Sequence, residues 1–265
     1  METNELKIVQ DSLESFNRSE IDMQVSTAKR YPRDLSKCMA TIKSLAKMDE
    51  ETAEDCFYAL KRGKGNNAKL IEGLSVRMAE IFASSWGNLR VQTRILGNDG
   101  KTITAQGCCH DLETNLAVSV EVKRRITDSN GKTFSDDMVV VTSNAASAIA
   151  FRNAIFKVIP KAVTNKVVSD IRTFAKGETN KLESKRQAAI DWFKNQGVTI
   201  DEILTYIEKP CIDDLGVEDI LTLHSTATAI KEGTTTIEET FRTKPETMEE
   251  KKAKLRANTN KPTLL

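Results

Sequence analysis

Histidine is nearly absent from this chain: His110 and His224 are the only two in 265 residues. They lie too far apart in sequence to offer the spacing of a Ser/His/Asp or Cys/His nucleophilic arrangement. Cysteine occurs an odd number of times, at the irregular positions 38, 56, 108, 109 and 211, which argues against a disulfide framework. No apolar run approaches the roughly 20 residues of a bilayer span. The opening METNELKIVQDS also lacks a signal-peptide apolar region, so no membrane association and a cytoplasmic location are expected. Net charge is missing too, at +1 overall, but only because opposite excesses cancel.

Residues 1–56 hold 8 basic and 12 acidic side chains, whereas residues 57–172 hold 17 and 10. The ratio inverts again to 6 against 13 over residues 178–240, and the tail from 241 holds 7 against 3. A basic middle beside an acidic segment points to a polyanionic partner for the middle.

The same boundaries appear in the hydrophobic pattern. Residues 1–24 are polar and read as a flexible N-terminus. YPRDLSKCMATIKSLAKMDEETAEDCFYAL reads as two helices before the glycine-rich KRGKGNNAKLIEG, and LSVRMAEIFASSW as an amphipathic helix closed by Gly87. Then NLRVQTRILG, KTITAQGCCHD and LAVSVEVKRRIT are β-branched and partly alternating, with GNDG and DLETN as turns between them. DMVVVTS offers a fourth short strand, and the helix NAASAIAFRNAIFKVIPKAV follows, with Ala148, Phe151, Ile155 and Val158 at helical spacing. The expected fold is α+β: a three- to four-stranded antiparallel β-meander flanked by helices over residues 25–175. After the polar break AKGETNKLESKR, residues 178–240 read as a small all-helical, separable module, and residues 241–265 as a disordered basic tail.

Several motifs invite chemistry. KRGKGNNAKL lacks Walker spacing and no strand is expected to lead into it, but Lys61, Arg62, Lys64 and Lys69 around freed glycine amides suit a phosphate backbone. In CCHD, strand alternation puts Cys108 and His110 on one face and Cys109 on the other. Packing therefore explains the motif better than a metal site, and Asp136 and Asp137 read as a solvated turn. In VEVKRRIT, Val120, Val122, Arg124 and Ile126 share one face, with Glu121, Lys123 and Arg125 on the other. Arg124 then needs either an acid or a phosphate. Arg90 and Arg94 on a neighbouring strand would extend a basic groove beside the helix of Arg152, Lys157 and Lys161.

SNAASAIAFRNAIFKVIPKAV resembles the helix near the end of the core of phage single-strand annealing proteins of the RecT/Redβ type. IEGLSVRMAEI and AQGCCHDLETNLAVSVEVKRRITDSNGK are similar to a phage and prophage group of that superfamily. The resemblance implies an annealing-protein fold and a protein that pairs complementary DNA strands in homologous recombination without ATP, catalytic residue, metal or cofactor. It also implies single-stranded DNA and annealed duplex as partners, and a homo-oligomer in ring or filament form. The C-terminal module would recruit a phage exonuclease or a host single-strand binding protein. Two alternatives stand: a nucleic-acid-binding accessory protein that does not anneal, and a metal-dependent nuclease using Asp111, Glu113, Asp136 and Asp137.

Overall fold

The computed structural model describes residues 18–62, 69–128, 131–176 and 182–242. It is a mixed α+β protein with two small antiparallel sheets. Helix α1 runs through residues 18–30, followed by α2 (Leu35–Ala46) and α3 (Glu50–Asp55). Both of the latter begin where an aspartate accepts first-turn amides. Asp34 takes those of Ser36 and Lys37, and Asp49 that of Thr52. The sequence stretch taken as a flexible N-terminus, 1–24, thus already contains the start of α1. Residues 1–17 and the basic tail from 243 fall outside the described residues.

FYAL, read from the sequence as the end of a helix, and the KR that opens the glycine-rich segment form strand β1 (Phe57–Arg62), so a strand does lead into that segment, and KLIEGL is β2 (Lys69–Leu74). The two pair as a two-stranded sheet on either side of the glycine-rich segment. Ser75 caps α4 (Val76–Trp86) through the Met78 amide. The meander follows as β3 (Leu89–Asn98), β4 (Thr102–Asp111) and β5 (Leu116–Arg125), in that spatial order. Its first turn is held by Asp99, whose carboxylate accepts the Lys101 amide and both donors of Thr102. Those bonds pull its pKa down to about 2.

The meander has three strands, and the possible fourth does not form. DMVVVTS is the start of a 23-residue helix, α5 (Asp136–Val158), with Ser135 before it and two aspartates in its first turn. Acidic residues at a helix N-terminus favour the helix electrostatically, and they prevail here over the strand preference of the valines. α5 ends before Pro160, and α6 (Lys161–Ala175) continues the chain. By length and composition α5 is long and apolar enough to cross a membrane. A third of it is buried, and on that side Ala146 and Ala150 pack with Ile103, Ala105 and Ile126. At Gly107 a Cβ would stand 2.2 Å from the Ala150 carbonyl oxygen, so only glycine lets helix and strand backbones approach this closely. The buried side of α5 is Ala146, Ile149, Ala150, Ala154, Ile155 and Val158, with Ala148 and Phe151 only partly covered.

The helical C-terminal segment comprises α7 (Leu182–Asn195), α8 (Ile200–Ile207), a 3-10 turn (Ile212–Asp214), α9 (Val217–Lys231) and α10 (Ile237–Phe241). Thr199 and Glu202 form a reciprocal capping box at α8. Phe193, Ile203, Tyr206 and Leu223 are its core, with Phe193 and Tyr206 meeting Phe241 at 5.3 and 5.1 Å between ring centres.

The chain divides into two compact units that are not contiguous in sequence, unlike the expected core 25–175 and module 178–240. One comprises Met1–Phe57, Leu74–Gly177 and Glu232–Thr234. The other comprises Tyr58–Gly73, Glu178–Lys231 and Thr235 onward.

Candidate nucleic-acid interface

Cross-strand register assigns two faces to the three-stranded sheet. Arg90, Gln92 and Arg94 stand opposite His110, Cys108 and Gln106. These in turn stand opposite Ala117, Ser119 and Glu121, with Lys123 and Arg125 following across from Thr104 and Thr102. Along β4 burial alternates strictly, with Ile103, Ala105, Gly107, Cys109 and Asp111 buried against the helical side. The polar set forms the open side. Gln92, Arg94, Ser119, Glu121, Lys123 and Arg125 are exposed there. Around Gln92, Arg94, Gln106, Cys108 and Ser119 the surface dips into a concavity of about 480 Å³. Arg94 is oriented by a 2.9 Å bond from its Nε to Gln106. Arg90, at one end of this face, is tied to α1 through Glu20 and Gln24, both at 2.9 Å.

This face carries no Phe, Tyr or Trp, and its one ring is the His110 imidazole at the end beside Arg90, whose Nε2 lies 3.0 Å from the Asn115 side-chain oxygen. Its chemistry is therefore mainly guanidinium, ammonium, amide and hydroxyl groups, which bind phosphates and sugars, with a single imidazole in place of the row of ring planes on which successive bases stack.

The single groove expected from the sequence is not assembled. Alternation along β5 and the packing of α5 place Arg124 and Arg152 on the covered side of the sheet. Lys157 and Lys161 lie exposed at the α5–α6 junction, in the layer that covers that same side. Arg152 is 5% exposed and its Nη1 lies 3.3 Å from the Glu232 carboxylate. Arg124 donates to the carbonyl oxygens of Gly233 and Thr234. Arg152 is buried and Arg124 partly buried, both turned to these partners on the covered side. Of the hairpin cations, Lys61 is 2.8 Å from Glu208, bonds the Tyr206 carbonyl and lies over the Tyr206 ring. Arg62 and Lys69 are exposed, and Lys64 lies outside the described residues.

The acids of the nuclease alternative are also placed apart. Asp111 and Glu113 both engage Arg33, at 2.5 and 2.8 Å, and Arg33 lies over the Trp86 ring. Asp136 and Asp137 open α5. Among the described residues no three His, Cys, Asp or Glu side chains gather as a metal-ligand group. Burial pushes the thiols of Cys56 and Cys109 up to about 12, so neither is a nucleophile at neutral pH.

Sequence reasoning missed the amides and hydroxyls of the open face, Gln92, Gln106 and Ser119. The same alternation that separated Cys108 from Cys109 would have found them. The tripeptide at 232–234 gave no such signal, because its partners lie 80 and about 110 residues away in the chain. In comparisons with known proteins, the chain significantly matches no protein-family model, no curated protein and no solved structure.

Proposed function

We propose that this protein binds single-stranded DNA across the open face of its three-stranded sheet and anneals complementary strands. The observation that carries the reading is the composition of that face: three exposed cations, Arg94, Lys123 and Arg125, among hydrogen-bonding groups, with no Phe, Tyr or Trp and one imidazole, His110, at its end. A stacking protein hides the bases it holds. A surface that grips only the backbone leaves base edges free to meet a complement, and pairing then needs no bond-making chemistry. Glu121, opposite Gln106, is the one acid on the face and tempers its affinity, which suits a protein that must also release product. The resemblance to annealing proteins of the RecT/Redβ type is independent support.

The ring or filament state implied by that resemblance is part of the proposal, with a second copy of this chain as partner. Met138, Val140 and Val141 at the start of α5 are 47%, 58% and 57% exposed, more apolar surface than a helix turn usually leaves in water. Recruitment of an exonuclease or a single-strand binding protein by the acidic helices rests on the resemblance alone. Within those helices Phe193 is core, while Trp192 is only partly buried, with Lys231 over its ring.

The test uses a thiol the protein already has. Cys108 sits in the concavity and is partly exposed, and Cys211 is exposed in the other unit. Maleimide labelling of the native chain with oligo(dT) added should slow at Cys108 and not at Cys211. The double variant Lys123→Glu, Arg125→Glu should lose annealing of complementary oligonucleotides at least tenfold while keeping its circular dichroism. Labelling of Cys108 unaffected by saturating oligonucleotide overturns the placement, and a folded double variant that anneals normally overturns the function.

A further inference from the structure

Two arginines from different elements converge on one tripeptide. Glu232 presents one carboxylate oxygen to Arg152 on α5 and the other to the backbone amide of Val76, 2.5 Å away at the start of α4. The next two residues turn their carbonyl oxygens to Arg124 on β5. Gly233 makes the turn at φ +68°, where a Cβ would come within 2.8 Å of the Ala145 side chain. A carboxylate and two carbonyls are thus set against two guanidinium groups, which is how an anionic, oxygen-rich ligand would be held.

Fold stability alone does not account for this arrangement. α4 already has a cap in Ser75, whose hydroxyl accepts the Met78 amide, and Glu232 adds to it by taking the Val76 amide. A buried ion pair is seldom more stabilising than apolar groups of the same volume. Burial also pushes the Glu232 carboxyl above its ordinary range, against the pull of the Val76 amide and Arg152, so the carboxylate is held at a cost. The tripeptide is moreover an excursion. The residues on either side of it in sequence belong to the other compact unit, and only these three enter this one.

We propose that Glu232–Thr234 is an autoinhibitory clasp: it occupies Arg124 and Arg152 with the protein's own oxygens, and a phosphodiester backbone displaces it to reach them. This rests on the nucleic-acid reading above and adds, on the covered side of the sheet, a second and conditional set of contacts distinct from those of the open face. Glu232→Gln keeps an acceptor for the Val76 amide and removes the charge that binds Arg152. In the full chain this variant should bind fluorescent oligo(dT) at least fivefold more tightly than the parent, and adding Arg152→Met should abolish the gain. A parent that binds while folded Glu232→Gln binds no better overturns the clasp and leaves the nucleic-acid reading standing. Absence of binding by either protein overturns both. Hydrogen–deuterium exchange of the unaltered chain needs no variant: peptides covering 232–234 should exchange faster when oligo(dT) is added to a protein that binds it. Unchanged exchange there overturns the clasp.

Discussion

Arg33 shows how one side chain can decide the fate of several acids. Its guanidinium and amide, with the Asn88 side chain, all donate to Glu113, while Asp111 takes a second guanidinium nitrogen. Burial works against the Glu113 charge. The hydrogen bonds from Arg33 and Asn88 prevail and hold its carboxyl below its ordinary value of 4.5. A depressed carboxyl favours the folded state at any pH above its unfolded pKa, and that contribution is lost as pH falls through the folded value. Urea unfolding at a series of pH values from about 6 down to about 3 should therefore show stability declining at the acid end. Glu113→Gln should be less stable at neutral pH by about 1–3 kcal/mol and decline less steeply. An acid limb equally steep in the variant would mean that other carboxylates carry it.

At the scale of elements, the meander was readable because three strands alternate and two turn signals separate them, and β3, β4 and β5 stand where that pattern puts them. β1 was not, because FYAL follows an acidic helical turn with no glycine or proline to mark the change. The start of α5 was misread for the opposite reason: its valines satisfy a strand pattern, and the two aspartates that favour a helix are easily taken for a turn. The site was half legible in the same way. Alternation separated Lys123 and Arg125 from Arg124, but no local pattern shows what fills the covered side. The idea of a separable C-terminal module changes with this. Cutting after about residue 176 removes Glu232–Thr234 from Arg124 and Arg152, and removes Glu208 and Tyr206 from Lys61 on β1. A buried charge left without its partner costs about 3–5 kcal/mol, and a two-stranded hairpin alone is marginal in water. The fragment should melt at a clearly lower temperature and less cooperatively than the chain ending after Arg242, as followed by circular dichroism. Equal melting temperatures would show that the tripeptide and the hairpin contacts are dispensable.

For the whole molecule, a net charge of +1 conceals a basic middle, whose exposed cations would determine how the proposed DNA binding responds to salt. If Arg94, Lys123 and Arg125 each neutralise a phosphate of a single strand, log affinity should fall with log salt at a slope of about −2, from roughly −0.7 per contact. Displacement of the clasp would steepen it by engaging two more guanidinium groups. Titrations of oligo(dT) from about 50 to 300 mM salt measure this directly, and a slope near zero would remove backbone contact as the basis of binding. The interleaving of the two units matters in a different way while the chain is being made. A ribosome releases residues in order, and domains generally fold as they emerge. Here the hairpin at 58–73 is synthesised some 130 residues before Tyr206 and Glu208, and the first unit lacks its last three residues until position 234 has left the exit tunnel. Neither unit can complete itself until these distant residues have been made, so the nascent protein must hold a hairpin without Tyr206 and Glu208, and an Arg152 without Glu232, until they emerge.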